Sequence, residues 1–200
     1  MPGPVVIGVT GNIACGKSAA SNRLAELGAR VLDADHLYHE LIQPGMPLQG
    51  ALKERFGASI IAPDGQIDRR ELGAIVFSDP EALVELDRIT HPAVVAETYR
   101  RIETAATAVV VVDAVKLVES GISDRCDEVW LVLCRPEVQL ERLMKRNGIG
   151  MVDAERRIAA QPPLEGKIIL ASRIFDNSGD LATLHDAIDA AWRDLPGCHE

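Results

Sequence analysis

The run Gly11-Asn-Ile-Ala-Cys-Gly-Lys-Ser18 places glycine, lysine and a hydroxyl at spacings that suit a phosphate group. It matches G-x-x-x-x-G-K-[ST] in full. Glycines let backbone N–H groups turn toward phosphate oxygens, and the positive end of a following helix adds to them. Lys17 would reach the β- and γ-phosphates and Ser18 would ligate Mg²⁺, so a nucleotide with Mg²⁺ is the expected partner. The predicted cradle comprises Gly11, Asn12, Ile13, Ala14, Cys15, Gly16, Lys17, Ser18 and Ala19. A second cluster of chemical groups lies between Arg142 and Arg157. It holds Arg142, Lys145, Arg146, Arg156 and Arg157, the densest basic stretch in the chain. Arg142 and Arg146 stand at i and i+4, hence on one helix face.

These groups need a scaffold. The phosphate motif follows a short β-branched run, "PVVIGV", read as a buried strand, and precedes a helical pattern with Ala20, Leu24 and Leu27 on one face. Gly28 reads as that helix's stop. "ARVLDAD" is a second strand ending in acids. "HLYHELIQPG" is a short helix with Asp35 as its expected N-cap. Residues 47 to about 105 read as helical, with Pro80 and Pro92 each opening a helix of its own. "TAVVVVDAV", "DEVWLVLC" and "SRIFDN" supply three more strands. "RPEVQLERLMKR", "MVDAERRIAAQ" and "DLATLHDAIDAAWRDL" are helices. Strands alternating with helices predict an α/β fold of the P-loop NTPase type: a five-stranded parallel sheet with helices on both faces. The insertion after the second strand is too long for one crossover. The expected layout is a core of residues 1–34, 106–136 and 161–200, a helical acceptor-binding lobe at about 35–105, and a lid at about 137–160.

Composition narrows the function classes. The chain has 200 residues, 47% of them apolar, enough for one domain with a full core. A net charge of −9 disfavours nucleic acid and anionic membrane as partners. No run approaches the 18 or so apolar residues of a transmembrane helix, and "MPGPVVIGV" lacks a basic leader. Cys15, Cys126, Cys134 and Cys198 show no C-x-x-C spacing, which argues against zinc and a disulfide framework and fits a reduced, cytoplasmic setting. His36 and His39 stand at i and i+3 but lack a third ligand nearby. No N-K-x-D reads guanine. "DNSG" at Asp176–Gly179 matches D-x-x-G but falls too late in the chain for a GTPase switch. "VVVVDAV" offers Asp113 as a Walker-B-like acid, with no second acid behind it. Small size, a helical lobe and basic helices favour a small-molecule kinase.

Several further segments bear on which kinase. "LDADHLYHEL", "FGASIIAPDGQIDRRELGAIVF", "ITHPAV", "VQLERLMKRNGIGMVDAERRIAAQ" and "FDNSGDL" occur in this order across roughly residues 5 to 185. Together with the phosphate loop they resemble the dephospho-CoA kinase family. The P-loop alone is generic. The D-A-D, D-R and H-P elements in sequence are far more specific. The resemblance implies transfer of the ATP γ-phosphate to the 3′-hydroxyl of the dephospho-CoA ribose; a monomer or small homo-oligomer is expected. It implies Asp33 as general base, Arg142 and Arg146 as lid cations and Asn177 near the adenine; Arg69 either contacts the acceptor's phosphates or holds the lobe, His91 either contacts the acceptor or orients the lobe, and Lys116 puts a charge close to the expected acceptor site. The chain departs from the family pattern in three places. "NIAC" stands where "GIGS" is usual, Val115-Lys116 replace Pro-Leu, and Ser172-Arg173 replace an acid and an apolar residue. The competing readings are another nucleoside or nucleotide kinase of this fold and a nucleotide-binding regulator without transfer.

Overall fold

The computed structural model describes residues 3–196, so Cys198 lies outside the described residues. Five strands form one parallel sheet: β1 (Val5–Thr10), β2 (Arg30–Asp33), β3 (Val109–Asp113), β4 (Glu128–Leu133) and β5 (Arg173–Asp176). Their order is β2-β3-β1-β4-β5. The register is continuous, with Ile7 beside Val111 and Glu128, and Leu131 beside Ile174. The central strands are apolar on both faces because helices cover both. All five residues of β3 are buried. One face packs Ile7, Val9, Val109, Val111, Trp130 and Val132 against α1 (Lys17–Glu26) and α9 (Leu181–Arg193), through Leu24, Leu184 and Ile188. Arg23 on α1 forks onto Asp189 on α9, with Nε–Oδ1 at 2.7 Å and Nη2–Oδ2 at 2.6 Å.

Two compact units divide the chain. The first comprises residues up to Leu32 and from Arg101 onward, and contains the sheet helices together with α6 (Pro136–Asn147), α7 (Met151–Ala159) and α8 (Glu165–Leu170). The second runs from Asp33 to Arg100. It contains α2 (Ala34–Leu41), α3 (Pro47–Phe56), α4 (Arg69–Ser78) and most of α5 (Pro80–Glu103). It has its own core of Leu48, Leu52, Phe56, Ile60, Leu72 and Val76.

Three local expectations are corrected. The first is the break at Pro92. Pro80 opens α5, but Pro92 lies inside it, and one helix of 24 residues spans both segments. Proline removes one helical N–H. Apolar packing on both sides, through Leu86, Ile89 and Ala93, holds the helix together across that gap. The second is the cap of α2. Asp33, not Asp35, is the N-cap, because the helix already starts at Ala34. Asp33 has extended φ and ψ, and its Oδ1 accepts from the His36 N–H at 3.0 Å. The third is α8, which has no counterpart in the sequence reading. It is six residues long, too short for its periodicity to stand out.

Candidate active site

The loop from Gly11 to Gly16 joins β1 to α1 at the carboxyl end of the sheet. Its backbone alternates in sign. Ala14 has φ 62° and Gly16 has φ 100°, the left-handed region that turns successive N–H groups toward one point. Gly16 has a second reason to be glycine: a Cβ there would run into the Asn177 side chain. At Gly11 a Cβ would run into the Val132 carbonyl. At these two positions the loop has no room for a side chain.

Other elements brace it. Asn177 is 5% exposed, and its Nδ2 donates to the Cys15 carbonyl at 2.8 Å. Gln139 on α6 donates to the Ile13 carbonyl at 2.8 Å. Gln161, just after α7, accepts from the Ile13 N–H at 2.5 Å. The loop is thus held from both ends of the 136–161 stretch, by Gln139 on α6 and by Gln161 after α7.

Lys17 opens α1, and its ammonium lies against the Asp113 carboxylate at the end of β3. Asp113 is 5% exposed, and Ser21 Oγ donates to its Oδ2 at 2.6 Å. Its Oδ1 is the oxygen that the Lys17 ammonium lies against. Ser18 is exposed at the first turn of α1. Hydroxyl and carboxylate oxygens suit a hard cation such as Mg²⁺, which takes one or two protein oxygens and completes its shell with phosphate and water.

Lys167 on α8 was not singled out by its type or spacing, yet its side chain is fully buried beside the loop. Its Nζ donates to the Val115 carbonyl at 2.7 Å and to Asn12 Oδ1 at 3.4 Å, and pairs with Glu119 at 3.5 Å. Burial pushes its pKa down from the usual lysine value. Its partners lie 155 and 52 positions away in sequence, so no local pattern reveals it.

The remaining candidates are placed as follows. Arg142 Nη1 donates to the Asn177 carbonyl at 2.7 Å and Nη2 to the Gly179 carbonyl at 3.4 Å. Arg146 is exposed and its Nε donates to Asn147 Oδ1 at 2.9 Å. The two arginines therefore share a helix but not a target. Lys116 is half-buried in the segment after β3. In the helical unit, Asp33 ends β2, Arg69 is exposed at the start of α4, and His91 pairs with Asp87 one turn earlier at 3.3 Å.

This geometry is that of a nucleotide phosphate cradle with a lysine and a buried acid behind it. Comparison with known proteins agrees. The family model for dephospho-CoA kinase matches residues 5–183. A dephospho-CoA kinase of Symbiobacterium thermophilum is 44% identical over 94% of this chain and 80% of its own length. That of Geobacter metallireducens is 42% identical over 95% and 96%. Among solved structures, TT1252 from Thermus thermophilus is 32% identical with a TM-score of 0.83, covering 98% of this chain and all of that one. A Campylobacter jejuni dephospho-CoA kinase is 26% identical with a TM-score of 0.68, over 94% and 96% of the two chains. A shikimate kinase from Bacteroides thetaiotaomicron, 15% identical with a TM-score of 0.55 over 94% and 97%, shares the fold alone. The chain belongs to the dephospho-CoA kinase family.

Proposed function

We propose that this protein is an ATP-dependent kinase that phosphorylates the 3′-hydroxyl of dephospho-CoA, with the β1–α1 loop holding ATP. The observation that carries the reading is the loop itself: a left-handed Ala14-to-Gly16 crest over a helix that begins with Lys17 and Ser18. Backbone N–H groups of Ala14, Gly16, Lys17 and Ser18 receive the phosphates, while those of Cys15 and Ala19 hold the loop's own carbonyls. The Lys17 ammonium, now against Asp113, moves onto the β- and γ-oxygens and follows charge as it develops on the transferring group. Mg²⁺, held by Ser18 with Asp113 behind it, would neutralise charge on the same oxygens. Arg142 orders the chain from Asn177 to Gly179, and that segment lies against the loop, which supports an adenine contact there. Arg146, exposed near the end of α6 with its Nε on Asn147, is the second proposed cation for the phosphates.

Asp33 is the proposed general base. It stands at the carboxyl end of β2, the edge at which ligands of open α/β sheets bind. Its Oδ1 caps α2, which fixes the carboxylate by a hydrogen bond to the His36 N–H. The acceptor hydroxyl then gives its proton to Asp33 as oxygen attacks the γ-phosphorus and ADP leaves. We assign acceptor binding to Arg69, His91 and Lys116, the first two of them in the helical unit. A cytoplasmic enzyme is the matching setting, and no helix among the described residues is long and apolar enough to cross a membrane.

The test is ADP release from Mg·ATP with dephospho-CoA, AMP or adenosine as acceptor. Release with dephospho-CoA alone is expected, and Asp33→Asn should lower kcat by about 10²–10⁴-fold with ATP affinity kept. Release with AMP or adenosine would move the chain to the nucleotide and nucleoside kinases. ATP binding without release to any acceptor would leave a nucleotide-binding regulator.

A further inference from the structure

Cys15 and Cys134 are 119 positions apart in sequence, and their sulfurs are 3.4 Å apart, within hydrogen-bonding distance. Both are free thiols. Cys15 sits on the crest of the phosphate loop and is 2% exposed. Cys134 follows β4 and is partly exposed. Cys15 lies in the phosphate loop, where its backbone is bonded to Asn12 and Asn177, but its thiol has no part in the proposed phosphotransfer.

We propose that this dithiol is a modification site for hydroperoxides, with Cys134 as the attacking thiol and Cys15 as the resolving one. The two sulfurs face different surroundings. The Cys15 thiol and the Arg142 cation hold Cys134 below the usual thiol value. The hydrogen bond with Cys134, and then burial, push Cys15 up. A thiolate is the nucleophile, so the exposed sulfur is also the reactive one. Cys126 is the internal contrast: burial raises it to about 12, and its thiol donates to the Ile122 carbonyl.

The chemistry balances with the peroxide as sole co-reactant. Cys134 sulfur attacks the O–O bond, an S–O bond forms, and the alcohol or water leaves with a proton. The sulfur is oxidised by two electrons and the peroxide reduced, giving a sulfenic acid. Cys15 sulfur then attacks Cys134 sulfur. The S–S bond forms, the S–O bond breaks, and the hydroxyl departs as water with the Cys15 proton. The sulfurs must approach by a little over 1 Å to reach the ~2.05 Å of a disulfide. That displacement falls on the loop. The Cys15 N–H donates to the Asn12 carbonyl at 3.2 Å, and the Cys15 carbonyl holds Asn177. A bond to β4 therefore pulls on the crest that presents N–H groups to phosphate, and ATP binding is lost until a thiol reductant restores it.

The test treats the purified chain with hydrogen peroxide and reads three things. These are cysteine connectivity by peptide mapping, Mg·ATP binding by calorimetry, and recovery with dithiothreitol. The expected result is a Cys15–Cys134 link within one chain, loss of ATP binding, and recovery on reduction. Cys134→Ser should form no such link and keep ATP binding after peroxide; Cys134→Ala serves if that variant folds poorly. A sulfinic acid at Cys134 without a link, a link to Cys126 or Cys198 instead, or a Cys15–Cys134 link that leaves ATP binding intact would each overturn the proposal. Connectivity is read without any phosphotransfer assay, so its failure is separate from a failure of the kinase reading.

Discussion

At the scale of single residues, the site depends on cations held in low-dielectric surroundings by specific partners. Lys167 shows the principle most clearly. A fully buried ammonium is costly unless its hydrogen bonds are made. Here a carbonyl, an amide oxygen and a carboxylate meet it. It ties Asn12 of the phosphate loop to Val115 and Glu119 beyond β3, so it fixes the loop without touching the transferred group. Replacing it with methionine keeps the volume and removes every donor. Lys167→Met should cost about 1–3 kcal/mol in urea denaturation, because the acceptors stay buried without it. It should also raise the KM for ATP more than it lowers kcat. Adding Glu119→Gln should cost less than the two single changes together, since the partners are coupled. A variant as stable as the parent would show that Lys167 braces nothing. Gly16 makes the opposite kind of contribution. Gly16→Ala forces a side chain into a left-handed φ and onto Asn177, so loss of ATP binding is expected by calorimetry, together with about 1–2 kcal/mol of strain.

At the scale of elements, what could be read in advance was local and what could not was distant. The phosphate loop spells its function within eight residues. The buried strands announce themselves as β-branched runs such as Val109–Val112. The thiol pair, the Lys167 cluster and the Gln139 and Gln161 grip on Ile13 join positions more than a hundred residues apart, and no periodicity encodes them. Proline and aspartate misled for a different reason. Pro92 and Asp35 each favour a helix start, but packing around α5 and the earlier onset of α2 override those preferences. The contact between α1 and α9 offers an element-scale prediction. Asp189 is held below the ordinary carboxylate value of 3.8 by the Arg23 fork. A folded pKa below the unfolded one stabilises above the unfolded value and is lost as pH falls through the folded value. Asp189→Asn should therefore lower the urea midpoint at neutral pH. The gap between parent and variant should narrow below pH 3.8 and close once Asp189 is protonated. A gap that stays constant to low pH would mean the fork contributes nothing through its charge.

At the scale of the whole molecule, the two cores raise the question of what ATP stabilises. Every group assigned to the phosphates lies in the sheet unit, while Asp33, Arg69 and His91 lie in the helical one. A ligand that binds only the folded state stabilises by about 2.7 kcal/mol at a hundred times its Kd. For a chain of this length each kcal/mol moves the midpoint by roughly 2–4 °C, so saturating Mg·ATP should raise it by about 5–10 °C. Both tryptophans, Trp130 and Trp192, belong to the sheet unit. Their fluorescence therefore follows that unit alone, whereas far-ultraviolet circular dichroism follows the helices of both. Coincident shifts by the two probes would mark one cooperative transition; a shift confined to fluorescence would mark two. Lys17→Ala tests the cause. It removes the ammonium from ATP and also leaves the buried Asp113 carboxylate without its cation, so the unliganded midpoint should fall. Lys17→Ala with Asp113→Ala removes both charges and should restore the unliganded midpoint while still gaining nothing from ATP. If Lys17→Ala keeps the full ATP shift, the phosphates are held elsewhere and the loop is not the nucleotide site.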